Sequence, residues 1–218
     1  MREQAGRIIH IAAENAFVPG CTISKQVYQD GKYGVMYFSL APGTEISPES
    51  YGYPKLVMVS GGEMEVFDTD RHVWQETEKD TVLLPMNVPV GMRTEEGCIY
   101  VEINMEKEKN MNELIKAGEV FRLGALLPYQ EGKIVNMDIY HDDKMKFALM
   151  SFDAGTGLSE HAAPGEALVF ALDGEGIIGY EGKDYPIKAG ETFKFDKNGK
   201  HSVTANKQFK MALLLIFE

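Results

Sequence analysis

Histidine is scarce in this chain, and the positions of its imidazoles limit the chemistry that the protein can do. The five histidines are His10, His72, His141, His161 and His201. An imidazole can bind a transition metal, hydrogen-bond a ligand, or act as an acid or base near pH 7. The two cysteines, Cys21 and Cys98, belong to no CxxC spacing, so we expect neither a structural zinc site nor a catalytic thiol.

The segment around His161 follows a spacing that can be written G-x5-H-x-H-x3-E-x6-G. It runs from Gly155 to Gly174 and has His161 at the first histidine position. Ala163 and Ala167 stand where the second histidine and the glutamate would be. Side chains two residues apart on a strand face the same side, so we expect His161 and Ala163 to face one interior.

A second spaced pattern, G-x5-P-x-G-x2-H-x3-N, is echoed further along the chain. It begins at Gly190 and keeps its histidine as His201. Asp196 and Asn198 replace the proline and the second glycine, and Ala205 replaces the final asparagine. We expect His201 to come in from a strand that neighbours the one carrying His161.

These patterns resemble the two motifs of the cupin superfamily. The run from Glu160 to Leu168 is also similar to an E-H-x-A-P-x-[DE]-A-L run of small bacterial single-domain cupins, and the resemblance covers the chain from about Gly118 to Glu218. It implies an all-β jelly-roll barrel with the motif side chains at its mouth. In cupins the motif imidazoles and the carboxylate hold one Mn, Fe, Ni, Zn or Cu ion.

An internal repeat extends the resemblance to the first half of the chain. A shift of 112 residues superimposes identical pairs of segments: Gly43-Thr44 on Gly155-Thr156, Leu56-Val57 on Leu168-Val169, and Gly62-Glu63 on Gly174-Glu175. The chain therefore resembles a bicupin. In its first half Glu49, Tyr51, Lys55 and Val90 stand at the motif positions. We expect no metal in that barrel and a structural or dimer-forming role for it.

The elements that must position these residues are short strands. Strand-like runs with Gly and Asp turns between them recur every 8–12 residues along most of the 218-residue chain. We predict an all-β fold of two tandem cupin jelly-roll β-barrels joined by a short helical linker. The first barrel is predicted to cover residues 1–107, the linker helix 108–118 and the second barrel 119–218.

A metal site needs three or four converging ligands, and the motif positions supply only His161 and His201. The candidates for a third ligand are Glu160, Glu166, Asp153, His141 and water. Strand parity argues against Glu160 and Glu166, which lie an odd number of residues from His161. A turn at Pro164-Gly165 would break that parity, so we predict His161, His201 and Glu166 as ligand-binding residues and the two histidines as the metal ligands.

Three functional hypotheses stay open, and enzymatic activity is left undecided. In the first, the second barrel binds a small polar molecule of the sugar or organic acid class through its histidines. In the second, the protein is an enzyme dependent on a divalent transition metal held by His161 and His201. In the third, it is a non-catalytic structural or interaction module.

The formal net charge of −11 argues against nucleic-acid and anionic-membrane partners. The N-terminal stretch lacks a signal-peptide core, and we expect a cytoplasmic protein with a small-molecule ligand, for which a homodimer is one allowed assembly.

Overall fold

The structure is a computed structural model that describes residues 1–70 and 72–217. Contacts divide the chain into two units. The first barrel consists of residue 2 and residues 11–122, and the second barrel consists of residues 1, 3–10 and 123–217. The longest helix in the described part of the chain has four residues, and no helix there could span a membrane.

Each barrel is built on one large antiparallel sheet with further strands paired to it. The elements of the first barrel are α1 Ile11–Glu14, β2 Thr22–Asp30, β3 Tyr33–Leu40, β4 Thr44–Glu49, β5 Lys55–Asp68, β6 Val73–Thr77, β7 Thr81–Leu83, β8 Val90–Thr94, β9 Cys98–Asn104 and β10 Val120–Phe121. Its main sheet has the strand order β10-β7-β5-β9-β3-β2, with β4, β6 and β8 completing the barrel.

The second barrel repeats this plan. Its elements are β1 Ile8–Ile9, a 3-10 helix at Leu123–Ala125, β11 Ile134–His141, β12 Met145–Phe152, β13 Thr156–Ala162, β14 Gly165–Tyr180, β15 Lys183–Lys188, β16 Thr192–Phe195, β17 Lys200–Ala205 and β18 Phe209–Phe217. The main sheet has the order β1-β16-β14-β18-β12-β11, and β13, β15 and β17 complete the barrel.

Three register shifts of the strands recur at equivalent positions in the two barrels. The first barrel has register shifts at Gln26/Tyr28, Ile46/Glu49 and Val59/Gly61, and the second at Asp138/Tyr140, Leu158/His161 and Ala171/Asp173. Each shift in the second set lies 112 residues after its counterpart, which is the period of the sequence repeat. Bulges bend strands and re-aim side chains, so they fix the same curvature twice.

The ends of the first barrel differ from the sequence-based boundaries. Strand β1 pairs with β16, with Ile8 opposite Phe193 and Ile9 opposite Thr192, so residues 3–10 belong with the second barrel. Ile9 is buried, and the burial of this apolar side chain is the physical reason why the segment belongs to the second barrel. The predicted helical linker is a 3-10 helix, Glu108–Asn110, followed by turns up to Gly118.

Both barrels are filled by the inward side chains of alternating strand positions. In the second barrel the core includes Val169, Phe193, Phe195 and Phe209, all at most 1% exposed. Ala163 and Ala167 are buried members of this cluster. Two of the four motif positions are therefore part of the core.

Candidate functional site

The structure brings the two motif histidines together. His161 on β13 is the direct cross-strand partner of His201 on β17, and their ring centroids lie 4.3 Å apart with an angle of 53° between the planes. The bulge between Leu158 and His161 sets this register. Without that extra residue in β13, His161 would not lie opposite His201.

The two rings differ in their surroundings. His201 is 6% exposed and stacks on Phe195, with 4.0 Å between the ring centroids, whereas His161 is exposed to solvent. Burial lowers the pKa of His201, and the neighbouring His161 lowers it further, although the hydrogen bond to Gly199 acts in the opposite direction. His201 is therefore biased towards the neutral form at neutral pH.

Hydrogen bonds to the backbone fix which nitrogen of each ring is available. Nδ1 of His161 lies 2.8 Å from the carbonyl oxygen of Ser159, and Nδ1 of His201 lies 3.0 Å from that of Gly199. A carbonyl oxygen only accepts, so Nδ1 carries the hydrogen in both rings. In the neutral state each Nε2 then presents a lone pair, and neither Nε2 has a hydrogen-bond partner among the described residues.

A tyrosine that the sequence motifs do not include completes the immediate surroundings of His201. Tyr180 on β14 is the cross-strand partner of His201 on the side away from His161. Its ring packs against Phe193 and Phe195, and its hydroxyl group accepts a hydrogen bond from the amide of Asp196. The only sequence signal for it is its position just before the Glu181-Gly182 hairpin turn.

Glu166 lies apart from the histidine pair. Its carboxylate forms ion pairs with the N-terminal amine of Met1 and with Nζ of Lys194, the latter at 2.6 Å. Nζ of Lys194 is also 2.6 Å from Asp196. Successive side chains of a strand point to opposite faces, and Ala167 is in the barrel core, so Glu166 points away from it.

The charges around Glu166 set its protonation state. Burial alone would raise the pKa of Glu166, but the Lys194 ammonium and the N-terminal amine bring it below its usual value. Burial would lower the pKa of Lys194, but its contacts with Asp196 and Glu166 raise it. Both groups are therefore charged across the physiological pH range. Each stabilises the charged form of the other, and neither contacts the histidines.

Of the other predicted third ligands, Asp153 and His141 contact groups outside the histidine pair, and Glu160 is an exposed residue on β13. Asp153 accepts hydrogen bonds from the Gly132 amide and from Gln208, and Nδ1 of His141 lies 3.5 Å from Asp138. Across residues 1–70 and 72–217, no three His, Cys, Asp or Glu side chains are grouped so that they could hold a metal ion. With alanine at two of the four motif positions, the donor set does not fit the metal centre that the cupin fold implies.

Comparison with known proteins agrees with this architecture. A family model described as "Cupin domain" matches residues 148–217. The chain is 30% identical over 86 residues to an oxalate-binding protein of Thermotoga maritima, a match covering 38% of this chain and 71% of the relative. It is 36% identical over 75 residues to an L-ectoine synthase of Saccharophagus degradans, covering 33% of this chain but only 57% of that enzyme.

One solved structure resembles the chain over nearly its full length. It is a cupin 2 conserved barrel domain protein from Leptotrichia buccalis, with 25% sequence identity and a TM-score of 0.83, and the match covers 99% of this chain and 98% of that one. The sequence relatives, the matched family model and the structural likeness agree: the chain belongs to the cupin superfamily.

Proposed function

We propose that the chain is a bicupin that binds a small polar molecule of the sugar or organic acid class in its second barrel, without a metal ion. His161 and His201 would make the polar contacts. The observation that carries this proposal is the pair of facing imidazoles whose Nδ1 atoms are both tied to backbone carbonyls. Two Nε2 atoms are thereby left for an external partner.

An organic acid is the ligand class that these groups favour. A carboxylic acid that arrives with one proton supplies the hydrogen that an Nε2 lone pair lacks, and the resulting imidazolium then donates to the carboxylate. The similarity to a protein named for binding oxalate supports the same class.

Glu166 takes a structural part in this proposal. Its carboxylate is neutralised by Lys194 and the N-terminal amine, so it attracts a ligand only weakly.

A metal-dependent enzyme is the second hypothesis that the sequence leaves open. It would require donors beyond His161 and His201, and the described residues bring none of them near.

The free thiols of Cys21 and Cys98 agree with a reducing compartment. We include a cytoplasmic location in the proposal, and a homodimer as the assembly to look for when the protein is purified.

Thermal shift measurements test the proposal. We expect oxalate, malonate or another small acid to raise the melting temperature of the wild-type protein after treatment with a chelator. The His161→Ala and His201→Ala variants should lose the shift, whereas His141→Ala, which removes an exposed histidine of the same barrel, should keep it. Shifts of equal size in all four proteins, or none in the wild type, would rule out the histidine pair as the binding site.

A further inference from the structure

A carboxyl group without a partner is buried in the first barrel. Glu76 on β6 is 0% exposed, and neither of its carboxylate oxygens has a hydrogen-bond partner in the described part of the chain. An ionised carboxylate in such a place is stripped of water without compensation, whereas the protonated form loses much less. The folded barrel therefore favours the neutral form of Glu76.

The second barrel shows that this position of the fold suits an apolar residue. Glu76 lies opposite Met64 in the ladder between β5 and β6. Gly176, which lies 112 residues after Met64, pairs with Ile187 in the matching ladder between β14 and β15. Ile187 is 1% exposed and belongs to the core of its barrel. An apolar side chain thus fills the position in one copy, so the carboxyl group in the other points to a role other than folding.

The strand that carries Glu76 is weakly attached to the barrel. Strand β6 has five residues, Val73–Thr77, and among the described strands it pairs with β5 alone. Glu76 is the one buried residue of this strand, Trp74 is half-buried, and the other three are exposed. Elements with few buried apolar contacts open locally at a lower free energy than the core does. A change at Glu76 therefore acts on the main side-chain anchor of β6.

The turn that follows β6 opposes ionisation of Glu76. Burial, and after it the negative charge of Asp80 in this turn, raises the pKa of Glu76 from 4.5 to about 8. Asp80 accepts hydrogen bonds from the amide and the hydroxyl group of Thr77, which holds the turn together. The nearby cation, Arg122, is bound to Asp80 at 2.9 Å.

The strands behind Glu76 supply no counter-charge among the residues that the structure describes. Cys98 and Tyr100 of β9 interact electrostatically with Glu76, and burial raises the pKa of both, so both are uncharged near neutral pH. The charged neighbour on β5 is Glu63, whose negative charge acts on Cys98 as well. An ionised Glu76 would therefore gain a favourable environment by moving into water, which requires β6 to leave the barrel.

We propose that β6 is a flap controlled by one proton: it stays closed on the first barrel while Glu76 is protonated, and it opens locally when Glu76 ionises, with the other strands still folded. The proposal concerns the first barrel alone and does not depend on acid binding by the histidine pair.

The direction of the pH dependence follows from the two states of the flap. In the open flap Glu76 is hydrated and ionises near its ordinary pKa of 4.5, whereas in the closed flap its pKa is about 8. Between these values the closed flap holds one proton more than the open one. The ratio of open to closed flap should therefore rise by about tenfold per pH unit in this range and level off above about pH 8.

Native-state hydrogen exchange of the full chain, followed by NMR, tests the flap. Exchange rates corrected for the intrinsic rate at each pH give an opening constant for every amide. In the wild type we expect the β6 amides to open more readily than the central amides of β5 and β9. Their opening constant should rise about tenfold per unit between about pH 5.5 and 7.5.

Three variants complete the experiment. Glu76→Gln keeps the size of the side chain, and Glu76→Ile installs the residue of the second barrel; in both, the opening constant of β6 should not change with pH. The exposed Glu78→Gln should behave like the wild type.

Two results would overturn the proposal. One is an opening constant of the β6 amides equal to that of the central β5 and β9 amides, because Glu76 would then reach water only when the whole barrel unfolds. The other is a wild-type opening constant of β6 that is independent of pH, or that changes equally in Glu76→Gln. Thermal melting checks that each variant is folded, and if Glu76→Ile is not, Glu76→Gln alone is held to the same criterion.

Discussion

His161 and His201 face each other directly across β13 and β17, with their ring centroids 4.3 Å apart and their Nδ1 atoms bound to the carbonyls of Ser159 and Gly199. This relationship explains how a barrel with an incomplete set of metal ligands can still bind a small molecule. Each ring is oriented by its own strand, so the pair is preorganised before any ligand arrives.

Binding of an acid to this pair should take up protons. In the free protein burial lowers the pKa of His201, so its imidazole is neutral near pH 7, whereas a bound carboxylate favours the imidazolium and raises that pKa. The affinity for oxalate should therefore fall as the pH rises from about 6 to 8, by at most about tenfold per pH unit for one coupled proton. Calorimetry in buffers of different ionisation enthalpy measures the proton uptake directly. Affinity that is independent of pH, with no proton uptake, would contradict this mode of binding.

The backbone contacts also predict the tautomers of both rings. At a pH of about 8, where imidazole is neutral, His161 and His201 should carry hydrogen on Nδ1, the less common tautomer in solution. Long-range proton–nitrogen correlation spectra of protein labelled with nitrogen-15 distinguish the two tautomers. His72 is a positive reference, because its Nδ1 donates to the Asp68 carboxylate and should carry hydrogen as well. Hydrogen on Nε2 of either motif histidine would show that this nitrogen is not open to a ligand as an acceptor.

Lys194 should contribute to the stability of the second barrel through its two ion pairs. It is 3% exposed and binds Glu166 and Asp196, both at 2.6 Å, so Lys194→Met leaves Asp196 without this cation and Glu166 with the N-terminal amine alone. We expect the free energy of unfolding in urea to fall by about 3 kcal/mol, and the exposed Lys200→Met to change it by less than about 0.5 kcal/mol.

The variant Glu166→Gln distinguishes a stabilising role of Glu166 from a ligand-binding role. It should lower stability and leave acid binding unchanged, because Glu166 lies on the strand face opposite the core residue Ala167. Loss of binding at unchanged stability would instead make Glu166 a ligand contact.

The buried carboxyl group of Glu76 should make the stability of the first barrel depend on pH. It is fully buried, neither of its carboxylate oxygens has a hydrogen-bond partner in the described chain, and burial together with Asp80 raises its pKa from 4.5 to about 8. Since the unfolded chain loses this proton at a lower pH than the folded chain, stability is lost between about pH 4.5 and 8 as the pH rises.

Glu76→Gln should remove this loss, so the variant gains on the wild type across that range by an amount on the order of 4 kcal/mol. The exposed Glu78→Gln is the control. Urea unfolding at several pH values measures the difference, and parallel curves for the wild type and Glu76→Gln would show that Glu76 does not titrate in this range.

The sequence predicted the fold and the histidine pair because both depend on local spacing. The 112-residue repeat predicted two copies of one barrel, and the motif spacing brought His161 and His201 together in the structure. Strand parity also argued that Glu166 would point away from His161, although a turn at Pro164-Gly165 left the opposite orientation open.

What the sequence did not predict depends on contacts between distant segments. Lys194 has no motif that links it to Glu166, and Glu102 stands outside every spaced pattern, yet it pairs with Lys55 across 47 residues of sequence. The pairing of β1 with β16 joins Ile8 to Phe193, far along the chain, and a short apolar run such as Ile8–Ile9 carries no signal for its partner strand.

The central claim is that the histidine pair binds a small acid without a metal ion. The most direct test is calorimetric titration of oxalate into chelator-treated protein, repeated after adding one equivalent of zinc or manganese and repeated with the His201→Ala variant. The account predicts the same affinity with and without metal and no detectable binding to the variant. Binding that appears only after metal is added would contradict it.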